Sequence, residues 1–175
     1  MGGNMQLLFV PVEDVFIIPE AEANGIIEDD IELNPDKEYF SIAFTEGTAQ
    51  NKEPLKEVDA GNFFEQLISF YIAKQRPEVT AALMEMLERK FIVLLKNNNG
   101  ERKLIGTIAE PLRFEFKPTI DPNHNGKNGY ECNFFGDTVG KSKFYEGNIL
   151  GGTWYRITTD GARRITADSD ERVVA

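Results

Sequence analysis

A continuous apolar run, Phe91 to Leu95, is followed almost directly by turn-forming residues 97–100, Asn-Asn-Asn-Gly. A run of this length suits a strand buried on both faces, and Asn and Gly tolerate the positive φ angles of a tight hairpin. We predict the second strand of that hairpin over residues 103–108, then strands over 112–116 and 130–135 with a polar loop over 118–129 between them. This half of the chain should therefore form antiparallel sheet.

A second hairpin signal lies near the C-terminus. Segments 153–158 and 163–167 have the composition of strands and flank Asp160-Gly161. The residues from Asp168 onward are expected to fray. We predict one β-rich domain over residues 1–147, with residues 148–175 forming a hairpin and tail of the same domain.

The first part of the chain carries two apolar runs within residues 7–18. Because Pro11 and Pro19 each lack an N–H donor, both runs are predicted to be edge strands or an extended N-terminal arm. An acidic loop, residues 28–32, precedes the turn signal Asn34-Pro35-Asp36. The period of two over residues 38–44 then predicts a half-buried strand.

Residues 77–89 are predicted to be the helix of the fold. Pro77 suits a first helical position, and Val79, Ala82, Leu83, Met86 and Leu87 form one apolar stripe. Residues 62–73 fit either a helix, with Phe70 on the polar side, or a strand. The strand is favoured partly by their aromatic content and partly by the resemblance described below. A chain of 175 residues is long enough for one domain. The fold class predicted from these patterns is mainly β (α+β), with one packed helix over residues 77–89.

Charge is distributed unevenly along the chain. Residues 1–66 hold 15 acidic and 3 basic groups, or −12, whereas residues 67–175 hold 14 acidic and 16 basic groups, or +2, which gives −10 in total. A net negative protein repels a phosphate backbone, so we expect no tight nucleic-acid binding. No apolar stretch reaches the roughly 18 residues typical of a membrane span, so we expect no membrane association.

Catalytic chemistry has few candidate residues. The single histidine, His124, lies in a loop of Asn, Gly and Pro, and the single cysteine, Cys132, is expected to pack as a small apolar side chain. Glu110, Glu115 and Glu131 could supply an acid pair for glycoside hydrolysis, but alternate strand positions favour outward-facing side chains. We therefore predict no enzymatic activity, no catalytic residue and no cofactor.

One loop partly matches a calcium-binding pattern. Asp121, Asn123, Asn125 and Gly126 occupy positions 1, 3, 5 and 6 of the Asp-x-Asx-x-Asx-Gly motif, but position 12 is Cys132 instead of Glu. A turn between two strands is the alternative interpretation.

The acidic run 28–32 could likewise bind magnesium, but a solvated loop is more typical. Arg163-Arg164 suits an inter-subunit salt bridge better than a phosphate site, because acidic residues surround it.

The middle of the chain resembles small structural proteins from prophages of Bacteroides-type bacteria, which are related to phage tail-tube subunits. The resemblance spans roughly residues 38–146 and rests on segments 61–70, Gly-Asn-Phe-Phe-Glu-Gln-Leu-Ile-Ser-Phe, 91–106, Phe-Ile-Val-Leu-Leu-Lys-Asn-Asn-Asn-Gly-Glu-Arg-Lys-Leu-Ile-Gly, 110–116, Glu-Pro-Leu-Arg-Phe-Glu-Phe, and 128–136, Asn-Gly-Tyr-Glu-Cys-Asn-Phe-Phe-Gly. The residues from Asn148 depart from that group.

This resemblance implies a β-sandwich or barrel-like set of antiparallel sheets with one packed helix. It also implies a virion protein whose copies close into rings and stack into a tube around the passing genome. It implies that the partners are copies of the chain itself and other tail proteins, and that it is located in the virion and, during assembly, in the host cytoplasm. Ring closure repeats one heterologous contact, for which open sheet edges are suited. A binding or adaptor module that uses exposed Tyr145, Trp154 or Tyr155 on a protein or carbohydrate ligand is the alternative function.

Overall fold

The computed structural model describes residues 6–59, 61–120 and 128–149, and the backbone alone of residues 4–5, 154–157 and 163–166. Within these residues the fold is mainly β with one α-helix, as predicted. A 3-10 turn, Val12–Asp14, follows the first strand, and the helix α1 is Pro77–Leu87. The strands are β1 Asn4–Pro11, β2 Val15–Ile17, β3 Ile26–Ile27, β4 Glu32–Leu33, β5 Phe40–Ile42, β6 Gln50–Lys52, β7 Leu55–Val58, β8 Gly61–Ala73, β9 Lys90–Asn97, β10 Arg102–Ile105, β11 Leu112–Ile120, β12 Asn128–Thr138, β13 Lys143–Tyr145, β14 Trp154–Ile157 and β15 Arg163–Thr166.

Thirteen of these strands form one large sheet, and β2 and β4 form a separate pair. The main path is β15-β14-β5-β1-β9-β11-β12-β8-β6, and a branch runs from β9 through β10 and β13 to β3. Most pairs are antiparallel, but β14 with β5 and β13 with β3 are parallel, so the sheet is mixed. The sheet remains open and does not close into a barrel. Of the two predicted architectures, the barrel is therefore wrong and the layered one remains.

The sheet folds back on itself around an aromatic core. Phe9 on β1 and Phe134 on β12 belong to strands that do not pair, yet their ring centroids are 5.5 Å apart. The first core therefore lies between two layers of the same sheet. Its buried side chains come from β1, β5, β8, β9, β10, β11, β12 and α1.

A second core covers the opposite face of the central strands. Along β9, Phe91, Val93 and Leu95 belong to the first core, and Ile92 and Leu94 to the second. The predicted burial of this strand on both faces is therefore confirmed. The loops and short strands of residues 15–39 cover this second face of the central strands, with side chains such as Val15, Ile27, Ile31 and Tyr39.

The N-terminal segment corrects one prediction. β1 is neither an edge strand nor an extended arm, because it lies between β5 and β9 with Leu7 to Val10 buried. Pro11 is the last residue of the strand, so its missing donor falls where the strand ends. Only β2, whose sole partner is β4 among the described residues, fits the predicted edge position.

Several boundaries also differ from prediction. Residues 62–73 are a strand, as preferred, and the helix ends at Leu87, two residues early. Strand β10 ends at Ile105 because Gly106 turns the chain with φ of +86°. The predicted loop 118–129 is wrong at both ends, since β11 continues to Ile120 and β12 begins at Asn128. Pro118 fits within β11 because β9 pairs only with the start of that strand, which leaves one side open.

Helix α1 closes one end of the first core. Val79, Leu83 and Met86 are buried against it, as the stripe predicts, but Leu87 is 42% exposed and does not pack. Leu87 ends the helix, where the chain turns toward β9. The helix start is held by Tyr130, whose hydroxyl accepts from Arg76 N at 3.2 Å and lies 2.6 Å from Thr80 Oγ1.

Replacing Leu83 with Ala should lower the free energy of unfolding by about 2–4 kcal/mol, because Leu83 is 1% exposed and its removal leaves a cavity. Leu87→Ala, on the same helix, is the matched control and should cost less than about 1 kcal/mol. Urea titration followed by circular dichroism measures both changes. Equal costs for the two variants would contradict the helix orientation.

Candidate functional site

The calcium-pattern residues Asp121, Asn123 and Asn125 lie outside the described residues, as does His124. Over residues 6–59, 61–120 and 128–149, no three His, Cys, Asp or Glu side chains group closely enough to hold a metal ion. The acidic run 28–32 spans the connection from β3 to β4 and the start of β4, and one of its carboxylates, Asp30, accepts a hydrogen bond from Asn148 N. This contact gives the run a structural role in holding residues 146–149.

The three candidate carboxylates do not form one site. Glu115 is opposite Asn133 across the β11–β12 ladder and accepts its amide hydrogen bond at 2.9 Å. Glu131 is opposite Lys117 on the same outer face and is exposed. Glu110 lies in the turn before β11 and accepts from Val139 N at 3.1 Å. Glu110 is therefore separated from the other two carboxylates.

Other predicted residues have mixed outcomes. Tyr145 is 2% exposed, so the prediction of an exposed ligand-binding ring is wrong; its hydroxyl donates to Asn148 O at 2.8 Å and stabilises the second core. Side chains of Trp154, Tyr155, Arg163 and Arg164 lie outside the described part of the structure. Cys132 is buried in the first core, as predicted, and burial raises the pKa of its thiol to about 12.

β6 and β7 form a hairpin with β8, and all four residues of β7 are exposed. Gln50 is opposite Ser69, Lys52 opposite Leu67 and Leu55 opposite Phe64, and the register does not shift between them. β6 and β7 are thus two halves of one strand along β8, interrupted at Glu53-Pro54. We call residues 55–63 the projecting hairpin, because β12 stops at Thr138, opposite Phe64.

The alternation of hydrogen-bonded pairs along the β7–β8 ladder shows which residues of β7 have backbone groups on its open side. Glu65 N donates to Pro54 O at 3.1 Å, so the pair Pro54–Glu65 is of the hydrogen-bonded kind. Such pairs alternate along an antiparallel ladder, so Lys56 and Val58 bond to β8. The backbone groups of Leu55 and Glu57 consequently point away from β8. No other described strand pairs with β7.

The projecting hairpin lacks a core of its own. Leu55 is 50% exposed and Val58 is 51% exposed, while Phe63 and Phe64 are half-buried. The ammonium of Lys56, a residue type that often protects an edge strand, pairs with Glu65 at 3.3 Å. A two-stranded ribbon is only marginally stable alone. Apolar side chains and unpaired backbone groups on such a ribbon are typical of a surface for association.

A buried carboxylate anchors this hairpin to the rest of the molecule. Glu53, whose side chain is 9% exposed, accepts from Lys103 Nζ at 3.2 Å, Ser142 Oγ at 2.7 Å and Asn51 Nδ2 at 2.8 Å. Burial alone would raise the pKa of Glu53, but the hydrogen bonds from Ser142 and the charge of Lys103 outweigh it and hold that pKa below its usual range. Glu53 therefore ties the β6–β7 junction to β10 and residues 140–142.

Sequence patterns are compatible with open sheet edges in general, but they did not predict this edge or its anchor. Residues 50–58 contain no apolar run, so they lack the usual strand pattern. A weaker signal was present, since Asp59 and Gly61 are residue types that are common in turns and both lie where the chain reverses between β7 and β8.

No protein-family model, curated protein or solved structure matches the chain. In the described residues, no helix is both long and apolar enough to cross a membrane.

Replacing Glu53 with Gln should lower the free energy of unfolding at neutral pH by about 1–3 kcal/mol, because Lys103 loses its ionic partner. It should also flatten the acid dependence. A carboxylate with a lowered folded-state pKa stabilises the fold above its ordinary pKa of about 4.5, and this contribution disappears as the pH falls through the lowered value. Denaturant titrations between pH 7 and 3 measure both effects.

Glu57→Gln is the control for that measurement, because Glu57 is exposed on the adjacent strand and has no ion pair among the described residues. It should leave the pH profile close to that of the parent protein. A profile for Glu53→Gln that follows the parent would contradict the anchoring role.

Proposed function

We propose that the chain is a non-enzymatic structural subunit of the phage tail-tube kind, which assembles with copies of itself into rings. The observation that carries this proposal is the open β7 edge, with unpaired backbone groups at Leu55 and Glu57 beside exposed apolar side chains. The resemblance of residues 38–146 to prophage structural proteins supports the same assignment. The partners proposed are further copies and other tail proteins.

The charge of the chain fits this role. A surface with a formal charge of −10 repels a phosphate backbone, which favours passage of DNA through a ring without tight binding. The virion, and the host cytoplasm during assembly, are the locations that follow from the proposal.

A binding module is the second candidate, and one groove favours it. An open groove of about 600 Å³ is lined by residues 99–102 and 144–146 with Ile26. Its aromatic and cationic groups already have partners, because Lys103 Nζ lies 5.6 Å from the centre of the Phe144 ring and Arg102 Nη1 donates to Gly147 O at 3.2 Å. These contacts leave fewer groups free for a ligand, so we rank this function second.

The parent protein should form rings at high concentration, visible by negative-stain electron microscopy, and should sediment as a species larger than a monomer. The contribution of charge can be separated with two double reversals, Arg163→Glu with Arg164→Glu, and Lys141→Glu with Lys143→Glu. Each changes the formal charge by −4, from −10 to −14. If the basic pair at 163–164 contacts a neighbouring copy, only the first variant should lose assembly across a salt series.

Equal sedimentation of both variants would reduce the charge asymmetry to an effect on solubility. Salt alone does not decide the question, because at 0.15 M charges are already screened over about 8 Å, and screening weakens attraction and repulsion together. A parent protein that stays monomeric at millimolar concentration and every salt tested would overturn the assembly proposal and move the binding module ahead.

A further inference from the structure

Within the proposed function, on which this inference rests, the structure points to one contact between subunits. We propose that the β7 edge of one copy pairs with the β15 edge of the next, so that the large sheet continues from subunit to subunit. β15 and β6–β7 are the two ends of the main strand path, and each has a strand on one side only among the described residues. The contact would be heterologous, the kind that a ring repeats.

The open edge of β7 has a defined length. Pro54 interrupts the strand before β7, and the hairpin turns after Val58, which leaves the four residues Leu55–Val58. β15 is also four residues long, Arg163–Thr166. The two edges therefore match in length.

The charges of the two strands favour β15 as the strand that pairs with the β7 edge. On the described part of the projecting hairpin, Glu57 and Asp59 are exposed carboxylates without an ion pair. Strand β15 carries Arg163 and Arg164 and no acidic residue. Opposite charges on paired strands stabilise a sheet, whereas like charges directly opposite each other destabilise it.

The same rule disfavours a symmetric contact between two copies of β7. The backbone groups of Leu55 and Glu57 face the open side. In an antiparallel pair of β7 strands related by a twofold axis, outward-facing residues must lie opposite each other to form hydrogen bonds, and only three registers meet this condition. One register places Lys56 opposite Lys56, another Glu57 opposite Glu57, and the third Glu57 opposite Glu53 of the other copy. Every symmetric register therefore opposes like charges.

Two variants each disable one edge. Glu57→Pro removes an outward N–H without removing a bond to β8, and Glu57→Gln is its charge-matched control. The pair Arg163→Glu with Arg164→Glu disables β15, with Lys141→Glu and Lys143→Glu as its control for net charge. Each disabled variant should weaken self-association about tenfold or more. The Lys141/Lys143 control should assemble close to the parent, whereas Glu57→Gln, which removes one charge of the proposed contact but keeps the outward N–H, should weaken association clearly less than Glu57→Pro does. Circular dichroism and thermal unfolding verify that every variant is folded.

Mixing the two disabled variants is the decisive measurement. The Glu57→Pro chain keeps an intact β15 edge and the Arg163/Arg164 variant keeps an intact β7 edge, so a mixture should form 1:1 pairs that grow no further. Because a single contact of this size is weak, the mixture is tested up to millimolar concentration, where analytical ultracentrifugation with one variant carrying a fluorophore detects these pairs. Rings from the parent together with an absence of pairs in the mixture would overturn this contact while leaving the assembly proposal intact.

Other outcomes are equally informative. If the Arg163/Arg164 variant alone assembles like the parent, the contact is made elsewhere or is symmetric at β7, and the proposed pairing is wrong. Loss of assembly in the Lys141/Lys143 variant alone would assign the interface to β13 and its preceding loop. A parent protein that never assembles would overturn this inference and the proposed function together.

Discussion

The contact between Phe9 and Phe134 packs together two strands of the sheet, β1 and β12, that do not pair with each other directly. Phe134 is fully buried and its ring lies within 6 Å of the rings of Phe9, Phe70, Phe91 and Phe114. These five residues come from β1, β8, β9, β11 and β12. Each ring pair contributes about 0.5–1.5 kcal/mol beyond its buried area. The aromatic cluster therefore converts a long open sheet into two packed layers.

Burial falls steadily from that cluster toward the ends of the strands. β1 and β9 lie between two cores and carry apolar side chains at consecutive positions. In contrast, β8 alternates between buried and partly buried side chains, and the first half of β11 between buried and exposed ones. At residues 57–62 both faces of the β7–β8 ribbon are exposed where the structure describes them. Exposed side chains and outward-facing backbone groups thus occur together at this end of the ribbon, which is the combination an assembly surface needs.

Sequence patterns predicted the parts of the fold whose environment is local. The Phe91–Leu95 run, the stripe through Val79, Leu83 and Met86, and the Asn-Gly turn of residues 97–100 each gave the observed element. Pro11 misled the prediction because its cost depends on where the strand ends and which strand is its neighbour, and neither is a local property. The anchor at Glu53 was hidden for the same reason, since Lys103 and Ser142 are 50 and 89 residues away along the chain.

A pair of four-residue strands is small compared with the roughly 1,200–2,000 Å² that stable interfaces bury. A single such contact between two copies should therefore be weak and reversible. In the proposed ring each subunit would be held by two such contacts. A subunit would leave only when both contacts break at once, and each contact raises the effective concentration at the other. The formal charge of −10 on every copy opposes association beyond the defined contacts. Weak contacts between copies that repel each other would favour closed rings over irregular aggregates. In a closed ring every subunit makes both of its contacts, whereas in an irregular aggregate some contacts are missing.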